Sequence, residues 1–265
     1  MIMQNKSIGI FDSGVGGLCV LKEIRDLLPN ESLCYLADNH NCPYGSKSEN
    51  EALELARKSI EFLLQQDCKM IVIACNTVTA LAIDQFRTDY PVPFIGMEPA
   101  VKPAARQTRS KKIGVLATEN TFKGRLFNQT SEKYAKDVEV FVQPGHGLVE
   151  LVERGEQDSL EARTLLEAYL MPMVDMGADT LVLGCTHYPY LSRIIQQITN
   201  NRMAIIDPAN AVAEQTRRVL ELSGLICSGE KEPGYSFYVT GDVHRADRLL
   251  SKTMGRSYGI EQVRI

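Results

Sequence analysis

Three landmarks of this chain occur twice, in the same order. Ile8-Gly9-Ile10-Phe11 is echoed by Ile113-Gly114-Val115-Leu116, Ile71-Val72-Ile73-Ala74-Cys75 by Leu181-Val182-Leu183-Gly184-Cys185, and Glu98-Pro99-Ala100 by Asp207-Pro208-Ala209. The copies stand about 105 to 110 residues apart, the length of one modest domain, so two similar lobes are the simplest account. Other short β-branched runs lie between the landmarks, and the strands expected in the two copies cover residues 8–11, 33–36, 70–74, 94–96, 113–116, 138–142, 180–183 and 204–206. Between these runs apolar residues recur at helical spacing. Leu18, Leu21, Ile24, Leu27 and Leu28 do so until Pro29-Asn30 ends the pattern, and Leu53, Ala56, Ile60, Leu63 and Leu64 do so again. Strand and helix in alternation make an α/β fold with parallel strands.

The 265 residues are enough for one large domain or two modest ones, each with a sizeable core. A linker-like stretch at 228–234 precedes a strand at 235–240 and a helix at 245–254, and the residues leave open which lobe these join. A net charge of −4 offers no field for nucleic acid or an anionic membrane. No apolar run approaches the roughly 18 residues of a membrane span, and residues 1–7 hold no signal-peptide core, so a cytoplasmic location is expected. The cysteines at 19, 34, 42, 68, 75, 185 and 227 are odd in number and contain no C-x-x-C pair, which argues for reduced thiols and against a disulfide framework or thiolate zinc cage.

Chemistry is sought in the loops after the strands, where an open α/β sheet presents its ligands; Cys75 and Cys185 stand at equivalent rims there. Cys75-Asn76-Thr77 puts a thiol at a helix N-terminus, where positive partial charge lowers a cysteine pKa; the plainer reading is a buried cysteine in a capped turn. The second copy, Cys185-Thr186-His187-Tyr188-Pro189, adds an imidazole two residues from the thiol. His40, His146 and His244 have no such context.

Asp12-Ser13-Gly14-Val15-Gly16-Gly17 opens a helix after a strand, so its glycines suit a tight turn and its N–H groups an anion. A dinucleotide site is the alternative, with Asp38 at the expected acidic position, but Cys19 replaces the third glycine. Pro43-Tyr44-Gly45 is either a surface turn or a way to hold a tyrosine hydroxyl and backbone N–H groups over a pocket. Thr118 and Thr121 mirror Asp12 and Ser13 and suit a helix cap as well. Glu153, among Leu148, Val149, Leu151 and Val152, is either a buried carboxylate turned toward a histidine or part of a solvated helix face.

Taken together, Asp12-Ser13-Gly14-Val15-Gly16-Gly17, Pro43-Tyr44-Gly45-Ser46, Ala74-Cys75-Asn76-Thr77 and Gly184-Cys185-Thr186-His187-Tyr188-Pro189 resemble the glutamate racemases, within the aspartate/glutamate racemase superfamily. The likeness spans residues 8 to about 210. It implies an α/β fold of two pseudosymmetric lobes, each a parallel sheet flanked by helices, with the active site between them. Residues 1–97 and 210–265 would form the first lobe and 98–209 the second. It implies cofactor-independent interconversion of L- and D-glutamate for peptidoglycan synthesis. Cys75 and Cys185 would be the two bases, Asp12 assisting Cys75, and His187 with Glu153 assisting Cys185. Ser13, Pro43, Tyr44, Gly45, Asn76, Thr77, Thr118, Thr121 and Thr186 would hold glutamate. No metal or nucleic acid is implied, and a homodimer is. Two departures bear on pocket volume and fine specificity: Val78 after Cys-Asn-Thr, where a small residue is common, and Asn39-His40-Asn41-Cys42 before Pro-Tyr-Gly. The rival readings are a racemase of another amino acid, such as aspartate, a two-lobed binding protein and a nucleotide-dependent enzyme.

Overall fold

The computed structural model describes residues 3–229 and 232–265, so two residues of the linker-like stretch 228–234 and the first two of 1–7 lie outside the described residues. The strands are β1 (Ile8–Asp12), β2 (Leu33–Ala37), β3 (Met70–Ile73), β4 (Phe94–Gly96), β5 (Lys112–Ala117), β6 (Glu139–Pro144), β7 (Thr180–Gly184), β8 (Ala204–Ile206), β9 (Tyr235–Val239) and β10 (Ile260–Gln262). The helices are α1 (Leu18–Leu27), α2 (Glu49–Gln65), α3 (Asn76–Asp89), α4 (Val101–Gln107), α5 (Glu119–Lys123), α6 (Arg125–Tyr134), α7 (Leu148–Arg154), α8 (Leu160–Asp175), α9 (Ser192–Ile198), α10 (Ala209–Leu222) and α11 (Val243–Met254). Among the described residues, no helix is long and apolar enough to cross a membrane.

Two parallel sheets result. The first has the order β10-β9-β2-β1-β3-β4 and the second β6-β5-β7-β8. The run β2-β1-β3-β4 therefore reappears as β6-β5-β7-β8, and the repeated landmarks are a repeat of topology. Strands β1, β2, β3 and β7 are buried along their whole length. Helices on both faces require that, and it explains why these strands read as unbroken apolar runs. One face of the first sheet packs Ile10 and Val72 against Leu21 and Ala213, and the other packs Phe11 and Ile71 against Ile60 and Phe86. The second sheet buries Leu183 with Leu166 and Ile195 on one side and Val182 with Val101 and Phe127 on the other.

The C-terminal segment returns to the first sheet. Tyr235 on β9 pairs with Leu33 on β2, β10 pairs with β9, and α10 and α11 lie on α1. Strand β10 was not expected; three residues with a single apolar side chain carry no readable period. A buried ion pair ties this return to the chain's beginning. Lys69 Nζ is 2.5 Å from Glu31 Oε2 and donates to the carbonyls of Gln4 (2.6 Å) and Leu225 (2.9 Å), which uses all three ammonium protons.

Candidate active site

In each sheet the order reverses at the first strand of its lobe, β1 and β5, and ligands of open α/β folds bind beyond the carboxyl ends of strands at such a point. Asp12 and Cys75 end β1 and follow β3; Thr118 and Cys185 follow β5 and β7. Topology thus brings the two cysteines to matching places, and side chains of both lobes meet around them.

Cys75 is the N-cap of α3, as expected, but the expected lowering of its pKa is not what the structure produces. Burial, joined by the negative charge of Asp12, pushes the thiol up to about 12, against smaller lowering effects from Ser13 and the Val78 N–H. The helix terminus acts in the expected direction and loses to desolvation. The thiol donates to Ser13 Oγ at 3.5 Å.

On the other side Cys185 Sγ lies 3.8 Å from His187 Nδ1, and His187 Nε2 lies 2.6 Å from Glu153 Oε1. Burial of the ring disfavours its charge, but Cys185, Cys42 and Glu153 as acceptors outweigh this and hold the imidazole pKa well above its usual value. Glu153 is therefore turned toward the histidine, one of the two fates read from its neighbours. The lobes are joined at this point. Thr186 Oγ1 donates to Asp12 Oδ2 at 3.2 Å, and the Val15 N–H donates to Glu153 Oε1 at 2.8 Å. Asp12 also accepts from the Gly17 N–H at 2.7 Å. Its burial raises its pKa, against lowering by the His187 charge and Gly17.

The glycine-rich loop makes the expected turn, with the Leu18 N–H donating to the Val15 carbonyl at 3.2 Å, and its glycines serve a second purpose as well. None of Gly14, Gly16 and Gly17 has a positive φ. A Cβ on Gly14 would stand 2.1 Å from Glu153 Oε1, and one on Gly16 would stand 2.5 Å from His187 Nδ1. These glycines let the second lobe's catalytic candidates press on the loop. The Val15 and Gly17 N–H groups are taken by protein carboxylates, and Asp38 is saturated by Tyr44, Asn41 and Thr240. Neither arrangement suits a dinucleotide.

Thr77 Oγ1 lies 2.9 Å from Thr118 Oγ1, itself 2.8 Å from Thr121 Oγ1, so one hydroxyl chain crosses between lobes. Thr118 also caps α5. Asn76 is buried, and its Oδ1 has no partner among the described residues. Pro43 and Gly45 line a cavity of about 120 Å³ with Thr118 and Glu150. Tyr44 departs from the expectation: its hydroxyl donates to Asp38 Oδ2, and only its carbonyl reaches across, accepting from Asn120 Nδ2 at 3.3 Å.

Residues 19–216 match the family model described as Asp/Glu/Hydantoin racemase. The chain belongs to this family. A glutamate racemase of Pseudomonas aeruginosa is 48% identical to this racemase-family chain over 231 residues, 87% of each. Its fold is similar to that of a glutamate racemase isoform from Bacillus anthracis, with TM-score 0.90, 31% identity and coverage of 99% of this chain and 98% of that one. A glutamate racemase from Francisella tularensis, solved in complex with D-glutamate, has TM-score 0.86 and 29% identity over 98% of both chains.

Three participants of this family member's site were given no part from sequence: the Val15 N–H, Asn120, and Cys42, whose Sγ lies 3.7 Å from Glu153 Oε1. The first is backbone, and the other two face the site only because the lobes do. Cys42 had one available signal, its place directly before Pro43.

Proposed function

We propose that this chain interconverts L- and D-glutamate by a two-base mechanism, supplying D-glutamate for peptidoglycan synthesis. The observation that carries the reading is the pair of buried thiols at topologically equivalent strand ends, each with its own acidic or imidazole partner. The resemblance to glutamate racemases on most of the chain names the substrate. Inversion needs proton removal from one face of the α-carbon and delivery to the other, and two fixed groups do this without turning the substrate. One cysteine as thiolate takes the α-proton and becomes a thiol. The other, a thiol, gives its proton to the carbanion and becomes a thiolate, so the enzyme is left poised for the reverse direction.

The remaining roles follow from the contacts. Asp12 acts on the Cys75 side, and His187, held by Glu153, supplies or accepts the Cys185 proton. Asn76 Oδ1, without a partner among the described residues, accepts from the α-ammonium. That cation, arriving beside Cys75, lowers the thiol pKa that burial had raised. The hydroxyls of Ser13, Thr77, Thr118, Thr121 and Thr186, with the turn at Pro43, Tyr44 and Gly45, hold the carboxylates. The lobe division at 97/98 and 209/210, a cytoplasmic location and a homodimer belong to the same reading. Sheet membership supports the first of these.

The test is racemisation of each glutamate enantiomer in deuterated water. Solvent deuterium should enter the product enantiomer, and Cys75→Ala and Cys185→Ala should each abolish racemisation. Product that keeps its original hydrogen, or full activity in either variant, would overturn the assignment.

A further inference from the structure

Cys42, Glu153 and His187 come from three distant parts of the chain and meet at the edge of the site. Cys42 Sγ, a Glu153 carboxylate oxygen and a His187 ring nitrogen all lie within 4.8 Å of one another. We propose that these three side chains form a binding site for a thiophilic divalent cation such as Zn2+, and that occupation silences the Cys185 half of the reaction. The silencing rests on the two-base reading above; the site does not.

The donor set suits such an ion. A tetrahedral zinc centre has bonds of about 2.3 Å to sulfur and about 2.0–2.2 Å to nitrogen and oxygen, so its ligand atoms sit about 3.3–3.6 Å apart. Cys42 Sγ and Glu153 Oε1 are already 3.7 Å apart, and the 2.6 Å between Glu153 Oε1 and His187 Nε2 has only to widen. Thiolate and carboxylate together neutralise a dication, and the imidazole binds neutral through Nε2. The Cys42 proton and any second imidazole proton leave to solvent. A cavity of about 350 Å³ lined by Cys42, Glu153, Asn39 and Asp242 gives an approach for the ion and room for water as fourth ligand. With Nε2 on the metal, His187 loses its bond to Glu153 and can no longer carry the proton exchanged with Cys185. Ligands at positions 42, 153 and 187 have no spacing that a sequence motif would reveal.

Co2+ is the probe for the site, added to reduced protein with absorption read in the near ultraviolet. Wild type should bind one ion per chain with a thiolate-to-cobalt band. Cys42→Ser should lose the band, and its half-saturation should rise about tenfold or more. Glu153→Gln, which keeps the thiol, should weaken binding by a similar factor; circular dichroism checks that each variant folds. In glutamate racemisation, Zn2+ should inhibit wild type reversibly to EDTA, and whatever activity Cys42→Ser has without metal should resist Zn2+ by about tenfold or more. A band or inhibition unchanged in Cys42→Ser would overturn the proposal, because the ion would then sit on Cys75 or Cys185. So would absence of the band in wild type. If metal-free wild type does not racemise glutamate, the activity reading fails, and the cobalt band still decides the site.

Discussion

Cys75 shows two physical effects opposed at a single atom. Its place at the start of α3 favours thiolate, while burial and the adjacent Asp12 favour thiol, and the second pair wins. Because the pKa is raised, the protonated form persists well above the range of a free cysteine near 8.5. Iodoacetamide labelling of Cys75, followed by peptide mass spectrometry, should therefore keep rising up to at least pH 10. A plateau near 8.5 would contradict it. Gly16 makes the complementary point about space. An added methyl would stand 2.5 Å from His187 Nδ1 and 2.7 Å from Thr186 Oγ1, so Gly16→Ala should displace the Cys185 partners while the backbone, whose φ is ordinary, stays folded. A kcat/KM loss of about a hundredfold with an unchanged circular-dichroism spectrum is expected; wild-type kinetics would refute it.

Among elements, the ends of β1, β3, β5 and β7 position the chemistry, and the ion pair at the entry to β3 holds one of them in place. Removing a single partner of a buried pair leaves the other charge uncompensated, at a cost of about 3–5 kcal/mol. Lys69→Met should lose stability of that order in urea unfolding, with the double variant Lys69→Met/Glu31→Leu recovering part of it. A loss under about 1 kcal/mol would show that the pair is not buried as described. The recovery is expected to be incomplete, because the Cys227 N–H and the Gln4 and Leu225 carbonyls also lose partners. The strands around this pair were readable to within about two residues, because the burial that a parallel sheet demands leaves unbroken apolar runs. The short β10 and the shift of a thiol's pKa were not, since neither has a periodic signature.

Over the whole molecule, the lobes keep separate apolar cores and meet through the packing of α3 on α5 and α6 and through polar contacts: Asp12 with Thr186, Val15 with Glu153, Thr77 with Thr118, and Asn120 with Tyr44 and Lys47. An interface of that kind permits relative motion of lobes. Cys75 is 4% and Cys185 7% exposed, so a substrate reaches them only after the lobes part. Bound glutamate should then slow hydrogen exchange of the amides at 12–17, 74–77 and 184–188. Exchange unaltered at saturating glutamate would mean that the cleft does not close on it.

The sequence by itself determined the two α/β lobes, the equivalent strand-end positions of Cys75 and Cys185, and the nearness of His187 to Cys185, because local apolar patterning and a duplicated order of landmarks are properties of the chain read in one dimension. Only the tertiary structure decided that the loop glycines, besides making their turn, serve close approach. The same holds for the Tyr44 hydroxyl, which belongs to Asp38, and for the meeting of Cys42 with Glu153 and His187. Those facts depend on which atoms of one lobe touch the other, and on how much water that contact removes, and neither is encoded in the spacing of residues along a strand or helix.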